Sequence, residues 1–408
     1  MTNTKDFIIT EEGQTRTIPA YTIDIREGKA EYLKEQLVLE NGFIREKITY
    51  EGTPDLYVTS GFINCHMHWV MNGDATPFME MLEQVVRNPA KKVEECIAHA
   101  RDTLKLGVTF GWDKGPPGSC ALPIYAGMRE AEKKGVAMTR FIYSPWAIMV
   151  DGSFGNPFGR VLGSDSEMDV ILMEILASGG TSIKFIPENS LRLKDKSYQF
   201  LMSDELFLNT RKKAAEKNLL FAVHAKGIDS LDRCIAAKVD CIEHGIQAAD
   251  RQLKMFQEKD IYLGPTLYGL ECRLELVRKN NGNTDIAGYE FEAVCDMVQR
   301  ASQVNQGKPF THMLFSSDAG SFTTPHASIR ELYLMRKYGY DPVSVFEAAA
   351  VNGARCTKQD RMGRVQKDNA ANLVYWTKNP LELSLEEWEH LENYIAAVVL
   401  EGTVAHRN

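Results

Sequence analysis

The chain has 408 residues, 44% of them hydrophobic and 25% charged, with a formal net charge of −8. This is an ordinary composition for a soluble globular protein, and the length allows a large core and more than one structural unit. No basic run occurs and no apolar stretch nears the ~20 residues that cross a bilayer, so neither nucleic acid nor a membrane is an expected partner.

The opening residues, MTNTKDFIITEEGQTRTIPA, lack a basic start followed by an apolar stretch, so no signal peptide is expected. Eight cysteines are scattered without a CxxC pair, which suits reduced thiols and a cytoplasmic location. In the first 60 residues, IPAYTIDI, AEYLKEQLVLE and IREKITYEG alternate over short spans and predict antiparallel strands. From Gly61 the pattern becomes strand then helix, repeatedly. Strands are expected in GFINCHMH, GVTFGWD (107–113), TRFIYSP (139–145), TSIKFIP (181–187), LLFAVHA (219–225), VDCIEHG (239–245), DIYLGPT (260–266) and HMLFSSD (312–318). PAKKVEECIAHARDTLKLG and SDELFLNTRKKAAEKN read as helices, the latter capped by Ser203. The tail returns to strand character in GRVQKDNAANLVYW and NYIAAVVLEGTVA. Eight strand–helix units predict an α/β fold, a (β/α)8 TIM barrel over 61–364. Residues 1–60 and 365–408 would form a small β-sandwich domain.

Within GFINCHMHWV, His66 and His68 are spaced to share one face of a strand, close enough to grip one metal ion. Cys65 would face away and pack. Barrel active sites lie at the C-terminal strand ends. There the chain places His66 and His68 on the first strand, Lys184 on the fourth, His224 on the fifth, His244 on the sixth and Asp318 on the eighth. His99, His312, His390 and His406 read as ordinary histidines.

This set of motifs resembles the metal-dependent amidohydrolase superfamily, in its prolidase-like, amide-hydrolase branch. SGFINCHMH is similar to the entry pattern P-G-x-x-D-x-H-x-H, with Ser60 and Asn64 in place of Pro and Asp. GVTFGWDKG, GGTSIKFIP, VHAKG, CIEHG and SSDAGSFTTPHAS resemble the second, fourth, fifth, sixth and eighth strands. GRVQKDNAANLVYW resembles the strand returning to the small domain, with Asn369 and Asn372 where Gly and Asp are usual. The resemblance spans about residues 55–376.

It implies two divalent metal ions, zinc first, with iron or manganese as alternatives. His66, His68 and Asp318 would bind the more buried metal, and His224 and His244 the second. Lys184 would react with CO2 as a neutral amine, and the resulting carbamate would bridge both metals. A hydroxide between the metals would attack the carbonyl, with Asp318 moving its proton to the leaving amine. The expected activity is hydrolysis of a C–N amide bond in a dipeptide, an N-acyl amino acid or a cyclic amide. A ring deaminase or an esterase or lactonase on the same centre is the alternative, although HAKG lacks the glutamate that many such deaminases use after the histidine. Lys226, His326, Trp69 and Trp146 are the candidate substrate contacts. Lys226 replaces the second histidine of HAHG and would meet a substrate carboxylate or stand solvated. The loops WVMNGDATPF and SPWAIMVDGSFGNPFGR, with Trp69, Trp146 and Phe154, suggest either an apolar substrate wall or packing on the barrel rim. The expected partner is a small-molecule substrate, and the expected assembly a homo-oligomer.

Overall fold

The computed structural model describes residues 7–11, 14–73, 78–115, 121–154, 159–326 and 328–408. Residues 74–77 of the first loop, 155–158 of the third, and Cys120 lie outside them. The seven described cysteines are free. No helix among the described residues is long and apolar enough to cross a membrane.

The fold is α/β, with its strands in three sheets. Phe62–Met67, Val108–Asp113 and Arg140–Tyr143 form a three-stranded parallel sheet. Six further parallel strands run in the order Arg160–Val161, Ala147–Met149, Ser182–Ile186, Leu220–Ala225, Cys241–His244 and Tyr262–Gly264. Helices follow most of them, as strands buried on both faces require. Ser203 Oγ accepts from Leu206 N at 3.2 Å and starts the helix Asp204–Glu216, as its sequence predicts.

The eighth expected strand differs. Residues 312–318 form no continuous strand; single bridges join Leu263 to Met313 and Met67 to Ala319. Leu263 N donates to His312 O (3.0 Å) and Leu314 N to Leu263 O (2.9 Å) on one side; Cys65 N donates to Phe315 O (2.8 Å) on the other. The physical reason lies partly in Asn64, whose side chain replaces part of the ladder. Its Nδ2 donates to Ser317 Oγ at 2.7 Å, and its Oδ1 accepts from Ser317 N at 3.3 Å and His66 N at 3.1 Å.

The terminal strands also differ from expectation. They join one nine-stranded mixed sheet rather than two separately bonded layers of a sandwich. Tyr57–Ser60 is the splice. It pairs in parallel with Ala20–Arg26 (Tyr21 opposite Tyr57) and antiparallel with Leu373–Trp376 (Leu373 opposite Ser60). Leu373–Trp376 and Ile395–Leu400 are apolar throughout because both faces are covered. Leu373, Tyr375, Ala397 and Val399 pack in the small unit's core with Leu37, Leu39 and Ile44. Val374, Trp376, Val398 and Leu400 alternate into the large core beside Phe62 and Phe346. The half-buried Arg364 guanidinium pairs with the Asp24 carboxylate across this boundary.

Candidate metal centre and active site

The site grows from close backbone contacts at the strand ends. Pairing of Phe62–Met67 with its neighbour slips between Asn64 and Met67, so alternation alone does not aim His66 and His68. The segment carrying Asp318 aims them. Asp318 N donates to His66 O (2.9 Å) and His68 N to Ala319 O (2.8 Å). Gly320 has φ +104°, and a Cβ there would lie 2.1 Å from His68 O, so only glycine permits this approach. Asp318 itself sits at φ +54°, His244 at +73° and Thr266 at +55°. Three non-glycine residues in the left-handed region thus surround one site, where such strain is commonly kept.

His66 Nε2 and His68 Nε2 lie 3.4 and 3.1 Å from Asp318 Oδ1. One ligand atom from each of the three lies within 4.8 Å of the others. The far nitrogen of each ring is held as well. His68 Nδ1 meets Gly115 O at 2.8 Å, and Asp113 fixes that turn by accepting from Gly115 N (2.8 Å) and Trp69 N (2.9 Å). His66 Nδ1 meets Glu243 Oε2 at 2.5 Å, while Lys114 Nζ lies 2.8 Å from Glu243 Oε1. Burial pushes the His66 imidazolium down to about 4, so the ring is neutral near pH 7. Burial works against an ionised Asp318, but its contacts with His66, His68 and Ser321 hold it well below the usual carboxylate range.

His224 and His244 meet beside this group. His244 is the last residue of its strand, and its positive φ turns the ring out of the alternation that buries Glu243. His244 Nε2 lies 3.0 Å from His224 Nδ1, and His244 Nδ1 lies 2.6 Å from Thr266 Oγ1. Burial keeps both imidazoles far below their ordinary value. Two neutral rings meeting in this way, with His224 Nε2 making no hydrogen bond among the described residues, fit a cation. Lys184 Nζ is likewise buried and makes no hydrogen bond among the described residues. Burial lowers its ammonium to about 8, with Lys114 pushing the same way against Glu243.

Lys226 is buried, not solvated. Its Nζ lies 3.0 Å from Glu290 Oε1 and over the Phe154 ring. Glu290 also accepts from Tyr198 OH at 2.8 Å and is paired with Arg273. Burial opposes its charge, yet Lys226 and Arg273 hold it ionised. Phe154 stacks on His224, centroids 5.3 Å apart and planes at 15°. The two tryptophan candidates sit elsewhere: Trp69 is buried among Met67, Tyr125 and Phe141, and Trp146 in the large core. Their apolar bulk is used in packing rather than on an open wall. His326 is partly exposed and paired with a helix histidine, its Nδ1 3.4 Å from His99 Nδ1 with the rings stacked. His99, expected to be an ordinary helical histidine, is therefore half of a pair.

Sequence reasoning missed Glu243, Lys114, Glu290 and Arg273. The first two were visible as charges inside otherwise apolar strand ends, CIEHG and GWDKG. It also missed Glu188, whose Oε1 accepts from Lys226 N at 2.7 Å and lies 3.8 Å from His224 Nε2.

Residues 57–405 match the model of the amidohydrolase family. The chain belongs to the amidohydrolase family. It is a metal-dependent hydrolase acting on carbon–nitrogen amide bonds. No curated protein sequence matches it. Among solved structures, it is similar to a Xaa-Pro dipeptidase with methionine bound in its active site. That match has 19% identity and a TM-score of 0.77, and covers 96% of this chain and 99% of the other. It is similar to a prolidase complexed with N-methylphosphonate-L-proline, at 18% identity and a TM-score of 0.78, over 95% and 98% of the two chains. A. niger ochratoxinase shares 16% identity with a TM-score of 0.75, over 95% of each chain. At these identities the likeness is one of fold.

Proposed function

We propose that this amidohydrolase cleaves the amide of a small substrate bearing a free carboxylate, a dipeptide or an N-acyl amino acid, at a centre of two divalent cations. His66, His68 and Asp318 would hold one cation, and His224 and His244 the other. Lys184, as its CO2-derived carbamate, would serve both. Zinc suits this mixed imidazole and carboxylate set, as do iron and manganese. The observation that carries the reading is the convergence of His66 Nε2 and His68 Nε2 on Asp318 Oδ1, beside a buried lysine amine with no hydrogen-bond partner among the described residues. The parallel strands and the 312–319 segment make the (β/α)8 barrel of residues 61–364. The terminal segments 1–60 and 365–408 make the small β domain. Backbone bonds passing from Tyr143 to Thr181, from Leu263 to Leu314 and from Phe315 to Cys65 support that closure.

When bound, the cations supply Lewis acidity and a water that ionises near neutral pH. The protein groups do the rest. Asp318 Oδ1 converges with the two histidine Nε2 atoms and accepts from Ser321 Oγ (2.7 Å), which leaves Oδ2 to take up a proton from water. Oδ2 then gives that proton to the departing nitrogen as the C–N bond breaks, and the carboxylic acid and amine leave. Phe154, stacked on His224, walls the site with an apolar face. Lys226 and Arg273 both face Glu290, and this cationic pair would receive a substrate carboxylate.

Elemental analysis of protein purified without chelator tests the reading, in wild type and Lys184→Ala. Two metals per chain in wild type, falling to one or none in the variant, are expected. One metal in both would remove Lys184 from the centre. No metal in either, with none regained on adding Zn, Mn or Fe, would overturn the catalytic assignment.

A further inference from the structure

Two buried charges beside the centre have no part in the chemistry above. Lys114, just past the end of Val108–Asp113, and Glu243, within Cys241–His244, are fully buried and meet at 2.8 Å. Lys114 Nζ also lies over the ring of Trp112, whose Nε1 donates to Ser182 Oγ at 2.8 Å. Removing two charges from water is costly, and an apolar pair of similar volume often serves stability as well or better. Stability alone is therefore a poor account of this pair, and its geometry shows what it does instead. Glu243 Oε1 faces Lys114, while Oε2 lies 2.5 Å from His66 Nδ1. A carboxylate paired with an ammonium can only accept, so the hydrogen of that short bond belongs to His66 Nδ1. The ring is then fixed in the tautomer that leaves its Nε2 lone pair free, aimed at the group formed with His68 and Asp318. His68 receives the same service from a backbone carbonyl, Gly115 O.

We propose that Glu243 and Lys114 are positioning residues for the metal centre: Glu243 sets the tautomer and angle of His66, and Lys114 holds the Glu243 carboxylate in place. The inference rests on the metal-centre reading above, and it assigns a task to residues that neither ligate nor touch substrate.

The test is the Zn affinity of the full chain, depleted of metal and titrated against a chromophoric chelator. It is paired with thermal melts of the metal-free protein and with the visible spectrum of the Co(II) form. Glu243→Gln can present an amide N–H to His66 Nδ1 and so favour the wrong tautomer. Loss of such an outer partner lowers metal affinity ~10- to 100-fold, and the Co(II) spectrum should shift. Lys114→Met should weaken binding as well, because Glu243 loses the cation that fixes it. Each single variant leaves an unpaired buried charge and could fold poorly, so the double variant Lys114→Met/Glu243→Gln decides. Its metal-free melt should return towards wild type while its Zn affinity stays low. A double variant that folds and binds Zn as wild type does would make the pair merely structural and overturn the inference. Wild-type affinity in Lys114→Met alone would overturn the part given to Lys114. Wild-type protein that binds no metal at all would overturn the metal-centre reading, and this inference with it.

Discussion

Gly269 offers the sharpest test of how Asp318 is held. It lies in the first turn of the helix Leu267–Lys279, and a Cβ added there would sit 2.7 Å from Asp318 Cβ and 3.2 Å from Ser317 O. Ordinary contact begins at 3.4 Å, so Asp318 must retreat by about 0.7 Å. It has little room to do so, being pinned by its positive φ and by its N–H on His66 O. Two stability effects nearly cancel in Gly269→Ala. Alanine favours a helix over glycine by ~1 kcal/mol, and overpacking costs ~1–3 kcal/mol. The melting temperature should move by only a few degrees. Catalysis should move far more, because a misplacement of ~1 Å costs about 100-fold. We expect kcat/KM to fall ~10- to 100-fold on the amide that wild type turns over best. Gly288→Ala is the control. It lies in the helix Asp285–Ala301 with nothing within 4 Å of its added Cβ, and should be slightly stabilised with unchanged kinetics. If Gly269→Ala keeps kcat/KM within twofold of Gly288→Ala, Asp318 is not the proton carrier placed by this contact.

Lys226→Met removes one cation facing Glu290 while leaving Arg273 and Tyr198 to hold that carboxylate. KM for a free-carboxylate substrate should rise roughly tenfold or more (≥ ~1.4 kcal/mol), with little change for the same substrate capped as an amide; an equal change for both would remove Lys226 from substrate binding. A second effect concerns pH. Burial pushes Glu331 up to about 8 and Glu188 up to about 7, although backbone N–H groups (Leu267 and Tyr268 for Glu331) favour the anion. Between the unfolded value of ~4.3 and those folded values, the native state holds protons that the unfolded chain has released. Stability therefore falls as pH rises through this window. The buried histidines, shifted downwards, act oppositely below ~6.5, and Lys184, lowered to about 8, acts oppositely on approach to that value, so between pH 6.5 and 7 the carboxyls dominate. The urea midpoint of metal-free protein should fall across that range, and Glu331→Gln should flatten the fall; an unchanged slope would refute the assignment.

What the sequence by itself determined is local or periodic. Strand–helix alternation marked seven of the eight expected parallel strands, and the i, i+2 spacing of His66 and His68 marked one end of the proposed centre. Charged or imidazole groups at apolar strand ends marked Lys184, His224, His244 and Asp318, since such residues stand out against a buried background. Tertiary structure decided the partners. Nothing near Lys226 in the chain announces Glu290, which comes from a helix 64 residues later. Nothing near His66 announces Glu243, 177 residues away. The tryptophans Trp69 and Trp146 look alike in a loop sequence whether they line a cavity or fill a core, and only packing shows that they fill it. The eighth segment gave a strand-like pattern, yet Asn64 and Ser317 side chains replace part of its ladder. Periodicity reports which face of an element is dry. It does not report which charge from a distant element meets another there, because that depends on how the strands are brought side by side.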